Sequence, residues 1–235
     1  MSETAQEARI GVLALQGGFA EHVAMLESAA DARKDAKVVV EEVKYPEQLE
    51  RLDGLVIPGG ESTTLSVFLC QNGFGEKLRA FAREGERRRC VWGTCAGLIL
   101  LSDHLDSQKQ GGQVTLGGID IQVTRNAYGK QINSFEAPLK IKAPALFRQA
   151  PPPGSTHQAH DECLGVFIRA PGIVRVNSDL VQTLATLDRG SGEKVVGVRQ
   201  GHLMATSFHP ELTSDCRWHS YFIDMVVTYK SSTSL

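Results

Sequence analysis

The chain has 235 residues, with 25 Lys and Arg against 27 Asp and Glu, giving a formal net charge of −2. That near balance excludes the strongly basic surface that tracks a phosphate backbone, so no nucleic-acid partner is expected. A hydrophobic content of 42% excludes the composition of a disordered chain.

From the N-terminus, Met1–Arg9 is polar and acidic, with no apolar signal segment behind it. No later stretch approaches the ~18 apolar residues of a membrane span. Arg9–Leu15 (RIGVLAL) and Lys37–Val43 (KVVVEEV) read as strands, separated by a helical stretch in which Phe19, Val23 and Leu26 recur. Gly54–Pro58 is the next strand, Glu61–Gln71 a helix with Gly73 as its stop, and Arg89–Gly93 a further strand before the helical run AGLILLS. Strands alternating with helices predict a mostly parallel sheet covered on both faces.

The second half reads as turn-linked strands at Ile119–Arg125, Val166–Ala170, Gly172–Asn177, Val181–Leu187, Val195–Arg199 and Leu203–Phe208. These predict an antiparallel extension or return of the same sheet. A last amphipathic helix, Asp215–Tyr229, presents Trp218, Phe222, Met225, Val226 and Tyr229 to the core. Between these strands, Ala143–Cys163 holds Pro151, Pro152, Pro153 and Gly154 and reads as a surface insertion. His157, His160, Asp161, Glu162 and Cys163 lie in it at spacings that match no structural zinc site, so no metal is expected. The expected class is α/β: one domain over 10–230 built on an open mixed sheet flanked by helices, with polar tails at 1–9 and 231–235.

The chemistry begins with the cysteines. Cys70, Cys90, Cys95, Cys163 and Cys216 form an odd, scattered set with no CxxC pair, which points to reduced thiols and a cytoplasmic protein. Cys95 differs from the others. It occupies Gly93-Thr94-Cys95-Ala96-Gly97, between an apolar strand and a helical run, in the pattern of a nucleophile elbow. Small residues on either side let backbone crowd the turn, and a helix N-terminus aimed at sulfur favours the thiolate. The alternative is a buried cysteine in a glycine-rich turn.

A thiolate needs a base. His209-Pro210-Glu211 follows the strand LMATSF, and on extended backbone residues i and i+2 project to one side. His209 would then take the Cys95 proton while Glu211 fixes its tautomer. Of the other histidines, His22, His104, His202 and His219 lack a carboxylate in this arrangement, and His219 beside core aromatics reads as structural. Pro58-Gly59-Gly60-Glu61-Ser62-Thr63-Thr64 follows another strand. Its glycine pair offers N–H groups for an oxyanion, with Ala96 N–H as second donor; a plain helix cap is compatible with the same residues.

Together the GTCAG, PGGEST and HPE motifs resemble the class I (triad) glutamine amidotransferases, whose fold is flavodoxin-like. LALQGGFAEH at 13–22, IPGGESTT at 57–64, VWGTCAGLILL at 91–101, RNAYGKQINSFE at 125–136, FIRAP at 167–171 and SFHPELTSDCRWHSYF at 207–222 are similar to the glutaminase subunits of pyridoxal 5′-phosphate synthase. This resemblance spans about Ile10 to Met225. It implies Cys95 as nucleophile, His209 and Glu211 as its triad partners, and Gly60, Glu61, Ser62, Arg125, Ile168 and Arg169 as the glutamine pocket. A zwitterionic substrate calls for Arg at its carboxylate and Glu at its ammonium, and the pairing is left open. Arg169 has the alternative of a structural ion pair.

The resemblance also implies hydrolysis of L-glutamine to glutamate and ammonia without a cofactor. Its expected partner is a separate (β/α)₈-barrel synthase in a large hetero-oligomer. Other amidotransferase glutaminases, an α/β-hydrolase or DJ-1-like cysteine protein, and a non-catalytic scaffold are the competing readings. RNAYG and FIRAP argue against the first, and the contiguous His-x-Glu argues against the second. The intact Cys95, His209 and Glu211 argue against the third.

Overall fold

Fully buried tetrapeptides and pentapeptides form the centre of the sheet, because a parallel strand covered on both faces has no solvent side to alternate with. In the computed structural model, which describes residues 7–70, 73–83, 89–106, 115–125, 127–128, 134–143, 162–190 and 192–232, these are β3 (Gly54–Ile57) and β4 (Cys90–Thr94). Around them the chain runs β1 (Glu7–Leu13), α1 (Phe19–Asp31), β2 (Lys37–Val43), then β3, α2 (Ser62–Leu69), α3 (Phe74–Arg83) and β4. It continues through α4 (Ala96–Leu101), β5 (Ser102–Leu105), β6 (Ile119–Thr124), β7 (Ser134–Ile141), β8 (Glu162–Ile168) and β9 (Gly172–Val176). Last come β10 (Gln182–Asp188), β11 (Glu193–Gln200), β12 (Leu203–Thr206) and α5 (Arg217–Ser232).

Nine strands make one mixed sheet in the order β2-β1-β3-β4-β12-β11-β10-β7-β8. The first five are parallel neighbours, and the rest return antiparallel. Period-two alternation divides the core between the two faces. Val56, Cys90 and Trp92 pack with Leu26 of α1 and Phe222 and Val226 of α5, while Leu55, Ile57 and Val91 pack with Leu65, Leu78 and Leu98 of α2, α3 and α4. No helix among the described residues is long and apolar enough to cross a membrane.

The α/β class and the mixed sheet match expectation, with instructive departures. The strands expected at 119–125 and 172–177 leave the main sheet and pair with each other, and the first of them also pairs with β5, in a separate sheet of three. The helical run AGLILLS stops at Leu101, and Ser102 opens β5 instead; its hydroxyl donates back to the Ile99 carbonyl at 2.8 Å, closing the short helix. Helix α3 and strand β7 carry no signal that the sequence reading used. β1 begins at Glu7 and α5 continues through Ser232, so folded structure enters both expected tails. Residues 144–161 of the expected insertion lie outside the described residues.

Candidate active site

The C-terminal ends of β1, β3, β4 and β12 are neighbours in the sheet. Residues just beyond them therefore meet in one crevice, the usual ligand position in an open α/β sheet. Cys95 follows β4 directly, with φ 48° and ψ −101°, a strained conformation for a residue with a Cβ. The flanking glycines are steric necessities: a Cβ on Gly93 would lie 2.4 Å from the Gly97 carbonyl, and one on Gly97 would lie 2.2 Å from the Ile57 carbonyl. The chain can make this elbow only where strand, turn and helix backbones touch.

His209 lies just past β12, and its Nδ1 sits 2.7 Å from Glu211 Oε1 in the buried interior. The backbone is not the extended dipeptide expected. Pro210–Leu212 is a 3-10 turn that His209 enters at φ −106° and ψ 86°, and it is this turn that swings Glu211 beneath the imidazole. The Cys95 side chain faces the same imidazole, since both lie against the Gly59 turn. Burial alone would lower the His209 pKa, but the neighbouring Cys95 and Glu211 side chains outweigh burial and push it up from 6.5 to about 10. Glu211 is held well below the usual carboxylate range: burial opposes this, and His22 and His209 overcome it. By contrast, burial without such partners pushes the thiols of Cys90 and Cys163 up to about 12. Those two are core residues.

The turn after β3 closes over the dyad. A Cβ on Gly59 would meet His209 Cε1 at 2.4 Å and Cys95 Cβ at 3.0 Å, so only glycine allows the turn to approach. Gly60 adopts φ 147°. Glu61 takes the cap role: its Oε2 accepts from Thr64 N–H at 2.6 Å and Thr64 Oγ1 at 2.8 Å at the start of α2.

A second loop, Gln16-Gly17-Gly18 within the LALQGGFAEH motif, joins the site in a role that the motif alone did not assign. Gln16 Oε1 accepts the Glu61 N–H at 2.9 Å, and a Cβ on Gly17 would strike the Gly59 carbonyl at 1.7 Å. Gln-Gly-Gly after β1 thus buttresses Gly-Gly after β3. A glycine pair following each of two adjacent strands was the available signal.

FIRAP and RNAYG also meet. Ala127 N–H donates to the Ala170 carbonyl at 3.2 Å, and Thr124 pairs with Gly172. This brings Arg125, whose buried Nε has no hydrogen-bond partner among the described residues, to the segment holding Ile168 and Arg169. The Ile168 carbonyl lies 3.9 Å from Cys95 Sγ, and Arg169 is exposed at φ 46°. Ala96 is the first residue of α4, next to the sulfur.

The profile of the SNO glutamine amidotransferase family matches residues 12–228. The chain belongs to that family. It is 46% identical to the pyridoxal 5′-phosphate synthase subunit PdxT of Streptomyces avermitilis, covering 96% of this chain and 98% of that one. It is 40% identical to a probable pyridoxal 5′-phosphate synthase subunit of Arabidopsis thaliana, covering 96% and 88%. Among solved structures, a glutamine amidotransferase superposes with TM-score 0.73 at 38% identity, covering 93% of this chain and 98% of the other. A Thermotoga maritima glutamine amidotransferase shares the fold at TM-score 0.51 and 15% identity, covering 97% and 87%. The family match takes in every segment of the crevice from Gln16 to Glu211. Among the described residues no cluster of His, Cys, Asp and Glu suits a metal ion.

Proposed function

We propose that this amidotransferase is the glutaminase of a pyridoxal 5′-phosphate synthase, working through Cys95, His209 and Glu211. The observation that carries the reading is the buried 2.7 Å contact between His209 and Glu211, on an imidazole that shares the Gly59 turn with the elbow cysteine. Glutamine would lie across Gly60, Glu61 and Ser62 on one side and Arg125, Ile168 and Arg169 on the other. Arginine at the α-carboxylate and Glu61 at the ammonium satisfy both charges.

Cys95 sulfur attacks the side-chain carboxamide carbon, and the electron pair of the C=O moves to oxygen. The N–H groups of Ala96 and the Gly60 turn stabilise that oxyanion. The imidazolium of His209 protonates the amide nitrogen as the C–N bond breaks, releasing ammonia and leaving a γ-glutamyl thioester. Water then gives its proton to His209 and attacks the thioester. Collapse expels the sulfur and frees glutamate. Throughout, Glu211 stays ionised and holds the imidazole in one tautomer.

Ammonia released into water would be protonated and unreactive, so the product is useful only if handed directly to a second active site. The relatives' names, subunits of pyridoxal 5′-phosphate synthase, support a synthase subunit as the recipient. We take that subunit to be a (β/α)₈ barrel in a mixed oligomer, and the free state of all five cysteines supports a reducing, cytoplasmic setting. Glutamate release by wild type and Cys95→Ala, with and without the synthase subunit, tests the reading. Release stimulated by the synthase and absent from Cys95→Ala is expected; undiminished release by the variant would overturn it.

A further inference from the structure

The triad does not end at Glu211. Its second carboxylate oxygen, Oε2, lies 3.2 Å from Nε2 of His22, a side chain of α1 with no solvent exposure. Oε2 accepts no hydrogen bond among the described residues, so this 3.2 Å approach is the contact that neighbours it. His22 Nε2 is also 3.2 Å from Thr94 Oγ1, and Thr94 Oγ1 accepts the Gly59 N–H at 3.0 Å. On its far side His22 Nδ1 is 3.0 Å from His219 Nε2 of α5, likewise fully buried. Trp92 packs edge-on against both rings, with centroids 5.5 Å from His22 and 5.0 Å from His219.

The hydrogen-bond inventory assigns the protons. His219 Nδ1 is buried with no partner among the described residues. A bare lone pair there is cheaper than an unpaired N–H. His219 therefore carries its proton on Nε2 and donates to His22 Nδ1. His22 in turn carries a proton on Nε2 and points it between Glu211 Oε2 and Thr94 Oγ1. Donors face the carboxylate from both sides, His209 on Oε1 and His22 on Oε2. The same His22 proton reaches, through Thr94, the turn that carries the oxyanion donors.

We propose that His22 is a positioning residue of the glutaminase reaction, its Nε2–H fixing Glu211 and, through Thr94, the Gly59–Gly60 turn in one arrangement. This rests on the glutaminase reading of Cys95, His209 and Glu211. A purely structural histidine would not need its proton in that place: a fully buried pair replaced by apolar groups of similar shape can be neutral.

The test compares His22→Gln, whose amide nitrogen reaches the Nε2 position, with His22→Asn, whose amide stops at Nδ1, and with apolar His22→Leu. Glutamate release is measured with the synthase subunit present, and thermal melting is followed in parallel. His22→Asn and His22→Leu are expected to lower kcat by about 10- to 100-fold with KM within about twofold, the size expected when a group orienting a functional residue is lost. His22→Gln is expected to return kcat to within about threefold of wild type. Should His22→Leu fail to fold, the Gln and Asn variants, both polar and differing in reach, decide alone. Equal kcat in Gln and Asn, or a loss that tracks melting temperature and not reach, overturns the proposal. Cys95→Ala run alongside separates the two levels. If it stays active, the glutaminase reading has failed; if it is dead while Gln and Asn match, only the role of His22 has.

Discussion

The backbone N–H of Cys95 donates to the carbonyl of Thr206 at 2.9 Å, tying the proposed nucleophile to the strand that leads to His209. Thr94 and Thr206 are register partners in the parallel pair β4 and β12. The positions of Cys95 and His209 are therefore set by sheet pairing and need no flexible loop to bring them together.

Steric contact at the turn after β3 makes a sharp prediction. In Gly59→Ala the new methyl would sit 2.4 Å from His209 Cε1, inside any real contact distance. The imidazole must move by the order of an ångström. A displacement of that size costs about 100-fold in rate. Steady-state glutamate release should fall by that factor while the melting temperature drops only modestly, since the turn lies at the rim of the sheet.

The elbow glycines should behave differently, by costing stability. Gly93→Ala drives a methyl to 2.4 Å from backbone atoms of Gly97, where nothing can rotate away. Overpacking against backbone in a closed core costs about 3 kcal/mol or more. Gly190→Ala is the matched control: it has φ 81° but nothing within 4 Å of the added Cβ, so only the backbone strain of about 1 kcal/mol applies. Urea denaturation of the two variants should separate by at least about 2 kcal/mol.

The dyad predicts how stability follows pH. Glu211 titrates below its ordinary 4.5 in the fold, so its contribution is present above pH 4.5 and lost as pH falls through the depressed value. His209 titrates above its ordinary 6.5, so its contribution is complete below pH 6.5 and lost as pH rises through about 10. Both are intact only between those ordinary values. Glu211→Gln should be less stable by about 3 kcal/mol near pH 6, the cost of breaking a buried charged pair, and should lose the acid-side slope. Melting temperatures collected from acid to alkaline pH check this: curves for wild type and variant that stay parallel below pH 4.5 would contradict the assignment.

Strand and helix periodicity made the parallel character of the first half legible, because buried parallel strands announce themselves as apolar runs. The proposed triad residues stood out for a different reason. A glycine-flanked cysteine and a His-Pro-Glu segment are local patterns whose chemistry needs only short spacing. His22 and Thr94 were not legible, since their meaning depends on contacts with Glu211 and Gly59 that are far away in sequence. Thr94 was in view only as a small residue beside the nucleophile. His22 read as a histidine without a carboxylate until the fold supplied one. Gln16 was hidden similarly, its side chain serving a backbone N–H on the neighbouring strand's turn. The three-stranded sheet escaped notice because β6 and β9 have the same alternation as strands of the main sheet, and alternation does not identify a pairing partner.

Arg217 explains why an arginine stands at the head of α5. Only 2% exposed, it donates from Nε to both Asp215 oxygens at 2.9 and 3.0 Å and from Nη2 to the Glu162 carbonyl at 3.0 Å. Beside it, Trp218 Nε1 donates to Cys163 Sγ at 3.4 Å. These bonds fasten the start of β8 to α5, and the other end of β8 presents Ile168 to Cys95. Planar geometry is what the site uses, so lysine, a point charge on a flexible stem, cannot reproduce it. Arg217→Lys should lose about 2 kcal/mol, and Arg217→Met about 3–5 kcal/mol by stranding Asp215 and the Glu162 carbonyl. Because β8 carries Ile168, the surviving Lys variant should also show a raised KM for glutamine with kcat changed less, the signature of a displaced substrate wall. Denaturant midpoints and steady-state kinetics on the same preparations check both halves. A destabilised Arg217→Lys with wild-type KM would mean that the two ends of β8 move independently.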